Sequence, residues 1–342
     1  MPQTQLATVS RAEAGQKLLQ FLLRRLEGMP RSAVQRWIRT GQVRVDGGRA
    51  KPFDRLAEGA VVRIPPHHAE QAARPQGTPG QGDTPGHGDT PAPLPLVHQD
   101  EELLVVAKPP GLPSHGGTGH KDSVAARLAA LFPEADFAPT LVHRLDRDTS
   151  GLLLAARTYA ALRRLNDLAA ARGMDKRYLA WVHGDWPHRD PMLLEDRLEK
   201  HGPDGAQRVA ALNMLDGDGK EGAGGREARS MARPLRRIPG FTLLELRLVT
   251  GRTHQLRVQL ASRGHPIAGD GKYGPGRHHG TKPPKKEAPG TGAPGTMLLH
   301  AWRVEAEGRT FTLAPPWPAP FAVLERFLQS LEAWPGKTAR KP

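Results

Sequence analysis

Apolar and polar positions along this chain fall into blocks of different period. Near the start, Leu18, Leu19, Phe21, Leu22, Leu23 and Leu26 recur on one side of a helical turn, with Arg24 and Arg25 opposite, which predicts an amphipathic helix. Pro30-Arg31-Ser32 interrupts that pattern. Ala33-Val34-Gln35-Arg36-Trp37-Ile38-Arg39 predicts a second helix that stops at Gly41. Val43-Arg44-Val45 then alternates as a short strand, Asp46-Gly47-Gly48 has the composition of a hairpin turn, and Val61–Ile64 predicts a closing strand. Further along, Leu103–Ala107 and Leu152–Ala156 are unbroken apolar runs of strand length. Ser123 to Phe132 and the stretch through Tyr159, Leu162, Leu165 and Leu168 predict helices, and Leu243–Val249 another strand. In Lys176–Gly184 the period is two, so Tyr178, Ala180 and Val182 share one face.

Between these blocks the character changes. Residues 67–95 contain a near-repeat of Gly-Asp-Thr-Pro with nothing to bury, which predicts a flexible tether. Residues 199–227 are polar and glycine-rich, an expected hairpin excursion, and 275–296 reads as an irregular basic insertion. The expected organisation is a tail over 1–10, a small domain over 11–66, a linker over 67–95, a larger domain over 96–335 and a basic tail over 336–342.

Composition narrows the partners. Lysine and arginine number 49 against 35 acidic residues, a formal charge of +14, which favours a polyanion and most often nucleic acid. With no cysteine in the sequence, disulfides, thiolate metal sites and cysteine nucleophiles are excluded. His278-His279 lacks a spaced third ligand, so no metal is expected. Ser114-His115-Gly116-Gly117-Thr118-Gly119 lacks the Gly-Lys-Ser/Thr that opens a phosphate-binding helix. No apolar run nears the roughly 18 residues that would span a bilayer, and the opening residues lack the order of a signal peptide, so a cytoplasmic protein with no membrane contact is expected.

The chemistry concentrates in Leu141-Val142-His143-Arg144-Leu145-Asp146-Arg147-Asp148-Thr149-Ser150-Gly151, a charged turn abutting an apolar strand. Ser150, His143 and Asp146 crowd this one turn without a strand-serine-helix elbow, which argues against a hydrolytic triad. In the first domain Arg36 and Arg39 lie three apart, on one helix face, with Arg31 before them and Arg44 and Lys51 after, a candidate phosphate-contacting stripe.

Several motifs occur together in one order: Lys108-Pro109-Pro110-Gly111, His143-Arg144-Leu145-Asp146-x-x-Thr149-Ser150-Gly151, Lys176-x-Tyr178-x-Ala180, Thr250-Gly251-Arg252-x-His254-Gln255-Leu256-Arg257, Gly264-His265-Pro266-Ile267-x-Gly269-Asp270 and Leu299-His300-Ala301. This order resembles the RluA-type pseudouridine synthases, and the His-Gly-Gly-Thr-Gly loop resembles their large-subunit (23S) rRNA branch. Residues 11–66 resemble the small αL RNA-binding domain named for ribosomal small-subunit protein S-four. The resemblance implies an α+β chain whose catalytic fold is built on a mixed, largely antiparallel sheet. It implies isomerisation of uridine in ribosomal RNA, by a monomer. No metal, nucleotide or organic cofactor is implied, because the reaction is a redox-neutral isomerisation. By the same resemblance Asp146 is the nucleophile, with Asp148 a rival in the same turn. Arg257 pairs with Asp146 (Arg252 the fallback), and Tyr178 stacks on the base and takes part in proton removal. Ile267 forms an apolar pocket wall, Arg144 fills the space of the extruded base, and His143 lies near the RNA backbone. A non-catalytic RNA-binding assembly factor on the same fold is the alternative; it predicts damage at Asp146, Tyr178 or Arg257, and all three are intact.

Overall fold

The computed structural model describes residues 4–26, 28–67, 93–116, 122–201, 208–212, 225–275, 295–331 and 334. The first unit comprises β1 (Gln5–Thr8), α1 (Leu18–Arg25), α2 (Arg31–Arg39), β2 (Arg44–Val45) and β3 (Val61–Ile64). Its three strands pair antiparallel in the order β1-β3-β2. The stretch expected as a tail over 1–10 therefore supplies an edge strand: four residues are too few for an alternating pattern to stand out, and Gln5–Thr8 finds its partner in Ile64–Val61. Leu18, Leu19, Phe21 and Leu22 of α1 meet Val34 and Ile38 of α2 and Val62 of β3 in one core, the amphipathic stripe doing what its period predicts.

The second unit begins with β4 (Leu96–Gln99), β5 (Leu103–Lys108), α3 (Val124–Leu131), β6 (Thr140–Leu141), β7 (Ser150–Ala156), α4 (Tyr159–Ala170) and β8 (Asp175–His183). It continues with β9 (Met192–His201), β10 (Arg208–Leu212), β11 (Arg226–Ile238), β12 (Phe241–Leu248), α5 (Gln255–Ser262), β13 (Leu299–Ala306), β14 (Arg309–Thr312) and α6 (Glu325–Gln329). One sheet runs β10-β9-β11-β12-β8-β13-β7-β5-β4, with β14 on β13 and β6 on β7. Its pairs are antiparallel except β13 with β7, so the fold is α+β on a mixed, largely antiparallel sheet. The excursion over 199–227 contains β10, paired to β9. The linker and the basic insertion fall largely outside the described residues. Among the described residues, no helix is long and apolar enough to cross a membrane.

Strands at the sheet's centre are covered on both faces, which explains their unbroken apolar runs. In β7, Leu153 and Ala155 join one core with Tyr178, Ala180 and Val182 of β8. Leu152, Leu154 and Ala156 join a second core against α4. In β8, Leu179 and Trp181 enter a third, beneath Trp302 and Phe321. Gly151 sits where β13 approaches in parallel register. Its φ is +112°, and a Cβ there would penetrate Ala301 O and lie 2.6 Å from Ala301 N, so this position demands glycine.

Candidate active site

The turn between β6 and β7 carries Asp146 into a cavity of about 260 Å³. The cavity is lined by His143, Arg144, Leu145 and Thr149 from that turn, Lys176 and Tyr178 from β8, Leu248, the loop and helix start from Gly251 to Arg257, and Leu299. Two residues from the preceding segment pin the turn. Ser114 Oγ donates to Leu145 O at 2.8 Å and accepts from Leu145 N at 3.0 Å. The buried Lys108 Nζ donates to the carbonyls of Pro109, Leu112 and Arg147 at 2.8, 2.6 and 2.7 Å. The Lys-Pro-Pro-Gly and Ser-His-Gly-Gly stretches are visible as motifs in the sequence, but nothing in it says that their side chains reach across to this turn.

Arg257 meets Asp146, with Nη1 3.3 Å from Oδ2. The bidentate fork goes elsewhere: Nε and Nη2 each donate at 2.8 Å to Asp270, whose carboxylate is wholly buried. Asp270 Oδ1 also accepts from the backbone N–H of Lys272 (2.8 Å) and Tyr273 (3.0 Å). Burial opposes the Arg257 charge, but the hydrogen bond and charge of Asp270, with a smaller contribution from Asp146, hold its pKa above the ordinary value. Burial likewise works against the Asp270 charge, and Arg257 and the two backbone donors outweigh it, leaving its pKa below the usual carboxylate range. Asp270, in the Gly-Asp of a motif already noted, is thus a site residue that sequence reasoning left without a role.

Tyr178 is buried beside Asp146; burial first, and then that negative charge, push its hydroxyl well above the ordinary tyrosine value. Arg144 is exposed at the cavity rim. The His143 imidazole turns inward: Nε2 accepts from Leu154 N at 3.3 Å, and Nδ1 is buried with no partner among the described residues. Burial, and then the nearby Lys176 charge, lower its pKa to about 3, so the ring is neutral. Ile267 departs from expectation. It is fully buried in the core, bridged to Val182, and does not line the cavity. Pairing with β8 turns it behind the wall, whose apolar surface comes from Leu145, Leu248, Leu256 and Leu299.

The rival assignments separate in space. Asp148 pairs with Arg147 at 2.9 Å and does not line the cavity. Arg252 lines it, yet its Nε donates to Glu227 O at 3.0 Å. Ser150 Oγ bonds to His300 Nδ1 at 2.8 Å, both residues buried, which removes it from His143 and from any hydrolytic triad. In the first unit all five predicted basic residues are exposed. Arg36, Arg39 and Lys51 line one groove of about 960 Å³ together with Arg49, which helical spacing alone does not single out; Arg31 and Arg44 lie outside its lining.

A carboxylate held by a guanidinium in a cavity beside a buried tyrosine, on a mixed sheet preceded by a small basic domain, defines a class. This chain belongs to the RNA pseudouridylate synthase family, which matches residues 102–262, and it carries an S4 domain over residues 16–62. Within that family the chain is of the RluA type, an isomerase. The chain is 39% identical to ribosomal large subunit pseudouridine synthase C of Yersinia pestis, over 80% of each chain. Against the protein of that name from Escherichia coli K12 the identity is 36%, over 80% of this chain and 81% of the relative. Among solved structures, human RNA pseudouridylate synthase domain containing 1 matches with TM-score 0.48 and 24% identity, over 66% of this chain and 84% of its own.

Proposed function

We propose that this chain converts uridines of large-subunit (23S) ribosomal RNA to pseudouridine, with Asp146 as the nucleophile. The observation that carries the assignment is Arg257, which is fixed by Asp270 on one side and leaves Nη1 for Asp146 on the other. A free aspartate, with a pKa near 3.9, is already ionised at neutral pH, so the arginine is not needed to deprotonate it. Its task is to keep the carboxylate charged and aimed when RNA closes the cavity, where an unpaired ion would cost about several kcal/mol.

In this reading the target uridine is first extruded from its stack, at a cost of about a few kcal/mol. Arg144, exposed on the rim, fills the space left behind, and His143 lies beside it. Asp146 forms the covalent adduct as the glycosidic bond breaks. The uracil turns, C5 bonds to the ribose carbon, the bond to Asp146 breaks and returns the electron pair to its carboxylate, C5 loses its proton and N1 gains one. Tyr178 holds the base by its ring; a hydroxyl whose pKa is raised this far stays protonated at neutral pH and is a poor proton acceptor. Residues 11–66 hold RNA through the groove of Arg36, Arg39, Arg49 and Lys51, and 96–335 form the catalytic domain. In this reading the chain acts as a monomer, on a ribosomal substrate that lies in the cytoplasm. The test is Asp146→Asn on a large-subunit rRNA transcript: pseudouridine formation should vanish with RNA affinity nearly unchanged. Retained turnover would reject the assignment, and mapping pseudouridines in rRNA from cells lacking the gene identifies the uridines modified.

A further inference from the structure

We propose that His254 is a positioning residue for Asp146, presenting a neutral Nε2–H to the carboxylate, and that Tyr273 fixes the tautomer this requires. The inference rests on Asp146 being the nucleophile. Nothing in the assignments above uses His254 or Tyr273, yet both belong to a closed circuit around the cavity. Asp146 Oδ2 meets Arg257 Nη1, Arg257 grips Asp270, and Asp270 Oδ1 accepts from Tyr273 N. The Tyr273 hydroxyl lies 2.9 Å from His254 Nδ1, and His254 Nε2 returns to Asp146 Oδ2 at 4.0 Å.

One placement of the hydrogens gives every group in this circuit a partner. Val209 N–H donates to the Tyr273 hydroxyl oxygen at 3.2 Å, so the hydroxyl's own hydrogen is free to go to His254 Nδ1. An Nδ1 that accepts leaves the single hydrogen of a neutral imidazole on Nε2, the nitrogen facing Asp146. The ring is neutral because burial lowers its pKa to about 4; Asp146 and Asp270 favour the charged form, and Arg257 and Lys272 oppose it. At 4.0 Å the Nε2–H is not yet a hydrogen bond; a closure of about 1 Å on substrate loading would make it one. Backbone conformation also marks the residue. His254 caps α5 at φ +53°, a left-handed conformation that a side chain other than glycine adopts at a cost.

The competing view is that His254 serves only to cap α5 and anchor Tyr273 through Nδ1. Two amides separate these roles, because the asparagine amide reaches about where Nδ1 sits and the glutamine amide about where Nε2 sits. Asparagine also tolerates the left-handed backbone better than glutamine. In the full chain, His254→Gln should keep its single-turnover rate on saturating large-subunit transcript within about threefold of wild type. His254→Asn and His254→Ala should lose about tenfold, the effect of removing one donor, with RNA affinity unchanged. Melting temperatures should run the other way, with asparagine above glutamine. In Tyr273→Phe, imidazole ¹⁵N spectra should show the His254 tautomers mixing, and the rate should fall in proportion to the fraction that no longer carries its hydrogen on Nε2.

A rate for asparagine equal to or above that for glutamine, or an unchanged tautomer in Tyr273→Phe, would overturn the inference. If Asp146→Asn is inactive in the same assay, only the role of His254 fails. Turnover by Asp146→Asn would instead sink the nucleophile assignment beneath it, and the tautomer measured by ¹⁵N would stand.

Discussion

Asp270→Asn tests the support of the site most directly, because it removes one charge and almost no volume. Asp270 Oδ2 accepts Nε of Arg257, while Oδ1 accepts Arg257 Nη2 and the backbone N–H of Lys272 and Tyr273. An asparagine can keep its oxygen toward the three donors, and then an amide N–H faces Arg257 Nε–H. Flipped, it opposes Arg257 Nη2 and both backbone donors. Breaking a buried ion pair by removing one partner costs about 3–5 kcal/mol, and the remaining contact with Asp146 puts this site near about 3 kcal/mol. For a unit of this size about 3 kcal/mol corresponds to a fall in Tm of about 6–12 °C. With its fork unheld, Arg257 should aim poorly at Asp146, and the rate at saturating RNA should drop about 10- to 100-fold. Release of tritium from RNA labelled at uracil C5 reads that rate, since C5 loses its hydrogen in the isomerisation. The pH dependence follows from the lowered Asp270 pKa: its contribution is complete above the unfolded value of about 3.9 and is lost as pH falls through the lower folded value. The stability gap between wild type and variant should therefore be constant from about pH 5 to 8 and close in acid. A wild-type Tm and rate, or a gap that persists in acid, would refute the charge argument.

Three further perturbations probe other parts of the assembly. Gly151→Ala drives a methyl group into the backbone of β13 at a φ of +112°, so it should cost at least about 3 kcal/mol by denaturant unfolding; a loss below about 1 kcal/mol would mean the strands can part. Arg36→Gln with Arg39→Gln should weaken RNA binding and flatten the plot of log affinity against log salt by about 0.7–0.9 for each phosphate left unneutralised, while the rate on saturated RNA holds. An unchanged slope would take the groove off the RNA. Arg24→Met removes a hydrogen bond to Thr140 Oγ1 at 3.0 Å and a guanidinium stacked 4.3 Å from the centre of the Phe137 ring. Amide exchange over 137–141 should quicken, and equal exchange in the two proteins would show that the contact carries no weight.

Much of this arrangement is legible from the order of residues, and the exceptions have identifiable causes. Strands such as Leu152–Ala156 and the face shared by Tyr178, Ala180 and Val182 follow from apolar runs and period alone. Helix α5 escapes that reasoning. Gln255, Arg257 and Gln259 are buried along with Leu256, Val258 and Leu260, so no polar stripe marks a solvent face. Those polar side chains are satisfied inside: Gln259 bonds Asp196, Ser230 and two carbonyls, and Gln255 bonds Thr250 and the Arg229 carbonyl. A hydrophobicity pattern cannot register a buried network, because it scores each polar residue as exposed. For the same reason Asp270 passes as part of a motif without a task. Ile267 fails differently: its apolar character is right, but which face of a strand neighbour it packs on depends on the long-range bridge to Val182, invisible to local pattern.

The two units touch at a place that bears on the chemistry. Tyr159 N donates to Ala12 O at 2.8 Å, and Arg24 of α1 reaches Thr140 and Phe137. Arg24 itself stays exposed, so this contact lies at the rim where the two units meet, with the Phe137 ring beneath the guanidinium. Thr140 begins β6, and β6 runs directly into the turn that carries Asp146. A tether alone would raise the local concentration of RNA and leave its orientation free. If the groove of Arg36 and Arg39 holds RNA as proposed, a docked basic domain adds direction, because that RNA then has a fixed relation to the cavity. Binding energy collected far from the reacting uridine can in this way be spent on holding that uridine in place.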